Sequence, residues 1–195
     1  TTMDAFYSLK PMVFAQEQGQ LAVLDNTLSV QGSVMNLPRL GYPQVTLACM
    51  SVQNHFWFYD QRDMALVRVD AQIRQVASSG RLDQLLGYSV QPLQMQEFDN
   101  WLYVNDPGRG ILVFDLFAAY YKTIPIKGAR SFEVRQGALY HYQRDTLFRY
   151  DMRTFQDDPL PVPQGVTPLD MRMESGRLFV RTKDRILVYT ADKAP

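Results

Sequence analysis

The sequence contains little of what metal sites and catalytic sites are usually built from. It has one cysteine, Cys49, and two histidines, His55 and His141, among 195 residues. A single cysteine excludes an intrachain disulfide and a zinc site built on several thiolates. The histidines are far apart in sequence, and neither is near a carboxylate cluster with metal-ligand spacing. The sequence therefore predicts no metal site and no cofactor.

Motifs of nucleophilic or nucleotide chemistry are also missing. No Gly-x-Ser-x-Gly and no His-Glu-x-x-His sequence occurs. The glycines around Arg109 lie in Asp106-Pro107-Gly108-Arg109-Gly110, which no helix follows, so this segment is a hairpin turn rather than a phosphate loop. Cys49 ends the apolar run 45–49, which indicates a small buried hydrophobic residue rather than a nucleophile. We therefore predict that the protein is not an enzyme.

The charge balance and the apolar runs exclude further classes. Lys plus Arg equals Asp plus Glu, at 20 each. This balance gives no electrostatic footprint for nucleic acid or an anionic lipid surface. No apolar run approaches the roughly 18 residues of a membrane span, and the given chain shows no signal peptide.

Aromatic residues and a repeated hairpin are what the sequence does contain. Tyr and Phe occur 11 times each, which favours strands. The clearest hairpin is 100–122, where two apolar runs flank the turn 106–110. The same two strand patterns recur along the chain, and the spacing between the first and the second strand is similar in every copy. The hairpins lie near 12–25, 56–70, 102–115, 139–151 and 178–190.

A further strand is readable on each side of the hairpins. The inner strands are predicted at 46–49, 93–96, 131–134 and 169–172, and the outer strands at 28–30, 73–76, 121–124 and, weakly, 159–162. Four antiparallel strands per repeat of about 40 residues are typical of a β-propeller blade. The sequence thus predicts an all-β fold, a single β-propeller domain over 1–195 with about five four-stranded blades.

The ends and the insertions give more local expectations. Residues 1–11 are predicted to hold the innermost strand of the first blade, around Ala5-Phe6-Tyr7. Residues 35–44 are predicted to be an irregular connection, and 78–92 an insertion with one helical turn at Leu82 to Leu86.

The last blade stops after its third strand, at 186–189. Two readings remain: a five-bladed ring with one thin blade, or an incomplete part of a six-bladed ring. In the second, a segment upstream of Thr1 or another polypeptide supplies the outer strand. The uncharged edge 186–189 is then expected to recruit a strand by edge pairing.

Four aspartates recur at the end of the third strand of a blade: Asp25, Asp70, Asp115 and Asp151. A ring of carboxylates would bind cations, whereas an isolated aspartate at a strand end caps a turn. The repeat itself places these residues, so we interpret them as turn caps. His141 alternates within a strand and is interpreted as a hydrogen-bonded blade residue.

Aromatic residues near strand ends are the candidate binding residues. They form a rim for a protein or a sugar, or they pack between blades, and the sequence favours packing for Trp57. The turn adds an exposed arginine. The candidates are Trp57, Trp101, Tyr103, Arg109, Tyr120 and Tyr121.

Several segments resemble an uncharacterised family of Bacteroidetes envelope proteins with β-propeller-like repeats. They are 25–32 (DNTLSVQG), 56–70 (FWFYDQRDMALVRVD), 81–87 (RLDQLLG) and above all 100–128 (NWLYVNDPGRGILVFDLFAAYYKTIPIKG). The resemblance covers nearly the whole chain. It implies an exported protein, periplasmic or associated with the outer membrane, and it carries over no catalytic residues.

Three functional classes remain open. The first is a non-catalytic protein-interaction or scaffold module of a bacterial cell envelope, for example a subunit of an outer-membrane-associated assembly, and the sequence favours it. The second is a propeller that binds a glycan or a peptide with the rim aromatics. The third is an enzyme of propeller type, which would need polar groups converging on the innermost strands.

Overall fold

The computed structural model describes residues 1–5, 9–161, 165–174 and 176–190. The chain divides into two compact units. The first comprises Thr1–Asp106 and Ile111–Ile124, and the second comprises Pro107–Gly110 and Pro125–Pro195. Each unit is built from antiparallel sheets whose strands follow one another in chain order.

The first unit contains three sheets of four strands each. The first blade has β1 (Thr2–Asp4), β2 (Met12–Ala15), β3 (Gln20–Val23) and β4 (Met35–Asn36). The second blade has β5 (Val45–Ser51), β6 (His55–Asp60), β7 (Ala65–Val69) and β8 (Gln75–Ser78). The third blade has β9 (Gln94–Phe98), β10 (Trp101–Asp106), β11 (Gly110–Phe114, with Gly110 itself in the second unit) and β12 (Tyr120–Ile124). Short 3-10 helices lie at Gln16–Gln18, Pro38–Leu40 and Val52–Asn54. The single α-helix of the described residues, α1, is Leu82–Leu86, where the sequence predicts one helical turn.

The second unit contains two sheets. The first has β13 (Ser131–Arg135), β14 (Ala138–Gln143), β15 (Thr146–Asp151) and β16 (Asp157–Pro159). The second has β17 (Asp170–Glu174), β18 (Arg177–Arg181) and β19 (Ile186–Thr190), which are three strands within the described residues. The chain thus contains five blades of the β-propeller class, which confirms the predicted fold class.

The middle strands of the blades are buried on both faces. All five residues of β7 and all five of β11 are buried, although successive side chains point to opposite faces. The sequence predicts this pattern because the second and fourth residues of the second hairpin strand are apolar in every repeat, and the middle residue is apolar or arginine. Arg68 is the arginine of β7, and it is 8% exposed.

The aspartates at the strand ends form turns, as predicted. In each turn one carboxylate oxygen of the aspartate accepts a hydrogen bond from the backbone N–H two residues later, at 2.8–2.9 Å. The same oxygen accepts a second backbone N–H at 2.9–3.1 Å, which is that of Ser29, Arg74, Ala119 or Thr154. These hydrogen bonds, that of the Arg74 N–H first, hold the pKa of Asp70 below its usual range. The recurring aspartates are therefore structural.

The same turns correct two predicted outer strands. Residues 28–30 do not form a strand, because Leu28 lies in the left-handed region (φ 63°) inside the Asp25 turn. Only an isolated bridge joins Val30 to Leu24, and the outer strand is β4, inside the stretch predicted to be an irregular connection. In the second blade, Ile73 occupies the equivalent left-handed position (φ 61°), so β8 begins at Gln75.

The remaining differences are small. β12 agrees with the predicted 121–124, whereas β16 lies earlier than the predicted 159–162 and shares with it only Pro159, an edge position where a proline removes no ladder bond. The innermost strand β1 lies at Thr2–Asp4, before the predicted centre, and residues 6–8 of that prediction lie outside the described residues. Val162 of the fourth predicted outer strand also lies outside them.

Candidate functional site

The third blade carries an exposed group of aromatic side chains on its outer strand. Tyr121 of β12 is 60% exposed, and its ring centroid lies 4.8 Å from that of Trp101 at the start of β10, with an angle of 36° between the planes. The Lys122 ammonium lies 5.5 Å from the Tyr121 ring centroid, within cation–π range. We call Trp101, Tyr121 and Lys122 the aromatic surface.

A β-bulge places Tyr121 on this surface. Val113 pairs with Lys122 and Phe114 pairs with Tyr120, so Tyr121 is the extra residue of β12. A bulge disrupts the ladder locally and redirects a side chain that regular alternation would point elsewhere. The two consecutive tyrosines thereby reach different partners: Tyr121 contacts Trp101, whereas the Tyr120 ring lies edge-on to Phe114, 5.7 Å between centroids.

The Asp115 turn presents another aromatic residue beside β12. The Asp115 carboxylate accepts the Phe117 and Ala119 N–H groups, both at 2.9 Å, and Ala118 has φ 63°. The turn leaves Phe117 80% exposed. Phe117 and Lys122 are not among the site residues predicted from the sequence. The signal that could have found Phe117 is its place two residues after a turn-capping aspartate.

Two of the other predicted site residues lie in the interior instead. Trp57 is fully buried in the second blade, and Tyr103 of β10 is buried, so both pack in the interior. Burial raises the pKa of Tyr103 to about 12. Arg109 is exposed in the turn between β10 and β11, within the second unit. Of the six predicted residues, the structure brings Trp101 and Tyr121 together, whereas Tyr120 contacts Phe114 and Thr123 instead.

Buried polar groups tie β5, β6, β7 and β9 together. The Trp57 indole N–H donates to Glu97 Oε2 (2.6 Å), and the Val52 N–H donates to Glu97 Oε1 (2.9 Å). Arg68 Nε donates to Ser51 Oγ at 2.8 Å. Glu97 is 1% exposed, so no ligand reaches it. This network was not visible in the sequence, and its role is structural.

The two histidines and the cysteine all make contacts within the fold. His141 is fully buried, its Nε2 lies 2.9 Å from Asp157 Oδ1, and its ring stacks on Phe148 at 5.1 Å. His55 Nδ1 lies 3.0 Å from the Val52 carbonyl oxygen. Cys49 is buried as predicted, and burial raises the pKa of its thiol well above the usual range.

Among the described residues there is neither a metal-ligating cluster nor a helix suited to a membrane crossing. No group of three or more His, Cys, Asp or Glu side chains within them could hold a metal ion. In that same part of the chain, no helix has the length and apolar character that a membrane crossing requires.

Comparisons with known proteins show likeness in fold. No family model matches the chain, and no curated protein sequence matches it. Among solved structures it is similar to PorZ of Porphyromonas gingivalis, described as an essential bacterial surface component of the type-IX secretion system. The TM-score is 0.59 at 16% identity, over 93% of this chain and 25% of PorZ.

Two further structures place this likeness in context. Virginiamycin B lyase from Staphylococcus aureus matches with a TM-score of 0.58 and 11% identity, over 93% of this chain and 66% of the lyase. BamB from Moraxella catarrhalis matches with 0.54 and 12%, over 97% of this chain and 57% of BamB. This chain therefore spans about a quarter of PorZ and about two thirds or less of the others. The propeller fold occurs both in an enzyme and in a secretion-system component, so the fold alone does not determine the function.

Proposed function

We propose that this protein is a non-catalytic interaction module of a bacterial cell envelope, and that it binds a protein partner through the aromatic surface of its third blade. The observation that carries the proposal is the contact between exposed Tyr121 and half-buried Trp101, beside Lys122. Tryptophan and tyrosine are enriched among the residues that dominate binding energy at protein interfaces. The envelope location is supported by the resemblance to Bacteroidetes envelope proteins and by the likeness in fold to PorZ.

The partner's chemistry follows from the same residues. Large, rigid rings give contact area at a low cost in conformational entropy, and they favour an apolar or aromatic segment on the partner. Lys122 adds one positive charge over the Tyr121 ring, which favours an acidic side chain next to that segment. We therefore expect a partner loop that combines apolar side chains with an aspartate or glutamate.

Quantitative affinity capture tests this proposal. The purified chain is immobilised, exposed to solubilised envelope of the source organism, and the bound proteins are quantified by mass spectrometry. Tyr121→Ala should reduce the captured partner about tenfold or more, as expected for a residue that dominates the interface. Because Tyr121 is exposed, the variant should keep its stability within about 0.5 kcal/mol.

Phe155→Ala is the matched control. Phe155 is an exposed aromatic residue (66%) of the fourth blade, and its substitution should leave capture unchanged. A protein that the wild type and both variants retain equally would argue against the aromatic surface as the binding site. A single protein that Tyr121→Ala alone loses would support it.

A glycan or peptide ligand on the same surface is the second candidate. The tilted stacking of Trp101 and Tyr121 favours it, because the faces of aromatic rings also bind sugars. Treating the envelope extract with glycosidases before capture separates the two candidates. Capture that persists after deglycosylation supports a protein partner, whereas capture that is lost supports a glycan.

The proposal that the protein is not an enzyme rests on the same engaged side chains. Cys49 is buried, and His141 is buried against Asp157, so neither is presented to a substrate. Purified protein should show no turnover of generic ester, peptide or glycoside substrates. Turnover that rises in proportion to protein concentration and survives repurification would contradict this part of the proposal.

A further inference from the structure

The second blade contains a cavity that the proposed function does not use. Its volume is about 390 Å³, within the range of about 300–1,000 Å³ of small-molecule sites. Its walls are the segment 40–42, the turn between β6 and β7, and residues 73–81. The residues that matter for its chemistry are Tyr42, Arg62, Asp63, Val67, Ile73 and Arg81.

Backbone hydrogen bonds hold the walls in place. The Gln61 N–H donates to the Gln44 carbonyl at 2.9 Å, which fixes the turn to the segment that carries Tyr42. The Leu82 N–H donates to the Met64 carbonyl at 2.9 Å, which fixes the same turn to the start of α1. Each wall is thus tied to the next within one compact unit, and the cavity is formed before any ligand binds.

The charges at the cavity are paired. Arg62 donates from Nε and Nη2 to Asp63, at 3.1 and 2.9 Å, and Arg81 donates in the same way to Asp83, at 3.1 and 2.8 Å. Asp60, 1% exposed, adds a third carboxylate, with Oδ2 3.8 Å from Arg62 Nη2. Carboxylates therefore match and slightly exceed the guanidinium groups, which disfavours an anionic ligand.

The paired groups keep hydrogen-bonding capacity. Each side-on pair uses Nε and Nη2 of the arginine, so Nη1 with its two N–H donors lies outside the pair. Each oxygen of Asp63 has a second lone pair, and the Asp63 side chain is 56% exposed. Gln75 and Ser78 add an amide and a hydroxyl to the lining. The cavity therefore offers many donors and acceptors at low net charge.

The rest of the lining is apolar. Ala65, Val67 and Ile73 are buried residues that contribute to it. The Tyr42 ring is held edge-on against Phe58, with 5.5 Å between centroids. A saccharide combines the same two features, an apolar C–H face and a rim of uncharged hydroxyl groups that both donate and accept. We propose that this cavity binds a neutral saccharide, with Arg62, Asp63 and Arg81 engaging its hydroxyl groups.

The proposal is tested with soluble sugars on the intact 195-residue chain. The probes are glucose, galactose, mannose, N-acetylglucosamine and their β-linked disaccharides, with glucuronate as the anionic and glucosamine as the cationic comparison. Backbone amide chemical shifts are followed in each titration. At least one neutral probe should bind at millimolar concentration or below and shift residues of segments 40–42, 61–67 and 73–82.

Arg81→Ala should weaken that binding about tenfold, since it removes charge-assisted hydrogen bonds. Arg74→Ala is the matched control, because Arg74 pairs with Asp70 in the same blade but does not line the cavity. It should leave the affinity within about twofold. Three results would each overturn the proposal. They are the absence of binding by every neutral probe, tighter binding of glucuronate or glucosamine at these residues, and equal effects of the two variants. None of these results depends on the aromatic surface, so the test is independent of the proposed function.

Discussion

Substitution of Glu97 should lower the free energy of unfolding strongly. Its carboxylate accepts the Trp57 indole N–H and the Val52 N–H inside the first unit. Glu97→Ala leaves two buried donors without partners, each costing about 1–3 kcal/mol. We expect the free energy of unfolding to fall by about 2–4 kcal/mol in urea titrations.

The matched variants for this prediction are Glu97→Gln and Glu17→Ala. Glu97→Gln keeps one oxygen acceptor and should recover part of the loss, whereas Glu17 is exposed and its substitution should cost little. A Glu97→Ala protein as stable as the Glu17→Ala protein would show that the network adds nothing to stability.

His141 should make stability depend on pH. Burial lowers the pKa of its imidazole below 6.5, and the hydrogen bond to Asp157 opposes this only in part. The unfolded chain therefore binds the proton more readily than the folded chain, so stability is full above pH 6.5 and falls as the pH drops below it. We expect the unfolding free energy of the wild type to decline over this range.

His141→Gln should flatten this decline, although it also lowers stability at neutral pH because it removes the ring that stacks on Phe148. Equal slopes for the wild type and His141→Gln would contradict the assignment.

Among the structural elements, the turn after the third strand offers a stabilising substitution. Leu28 is 62% exposed and lies at φ 63°, a conformation that costs a non-glycine residue about 1–2 kcal/mol. Leu28→Gly removes this strain but increases the backbone entropy lost on folding. The net rise in unfolding free energy should be about 0.5–1 kcal/mol by chemical denaturation.

Val76→Gly shows that the gain comes from backbone conformation. Val76 is also exposed (49%), but as the extra residue of a β-bulge in β8 it lies outside the left-handed region. Glycine there should lower stability by up to about 1 kcal/mol. The idea is wrong if Leu28→Gly destabilises the protein as much as Val76→Gly does.

The outer edge of the fifth blade is a second element with a testable property. Within the described residues no strand pairs with the outer side of β19, and Ile186 and Val188 are 65% and 53% exposed. Uncharged edges of this kind add strands from other chains. We expect the 195-residue chain to self-associate in sedimentation experiments, and Val188→Lys to suppress this. A wild-type chain that stays monomeric at all concentrations would refute the expectation.

The elements also show what the sequence could predict. The hairpins were predictable because both of their strands repeat apolar positions at matched offsets, and α1 was predictable between its flanking glycines. The first two outer strands lie later than predicted because the aspartate at the preceding strand end holds the next residues in a turn, with Leu28 and Ile73 in the left-handed region. Strand propensity alone does not contain that information.

The candidate site was only partly predictable. Trp101 and Tyr121 were selected individually, but their contact depends on one extra residue in β12, and no sequence signal marks a bulge there. Tyr103 was selected although its strand is buried on both faces. The saccharide cavity was not predictable, because it combines a turn, a connecting segment and a helix start that are distant in sequence.

For the whole molecule, the central claim is that the aromatic surface of the third blade binds one envelope protein. Site-specific photo-crosslinking in cells of the source organism tests it most directly. A photoreactive aromatic amino acid replaces Tyr121 in one strain and exposed Val76 of the second blade in another. The account predicts one discrete crosslinked protein from position 121, lost when Trp101→Ala is added, and none from position 76. No product at position 121, or the same products at both positions, would contradict it.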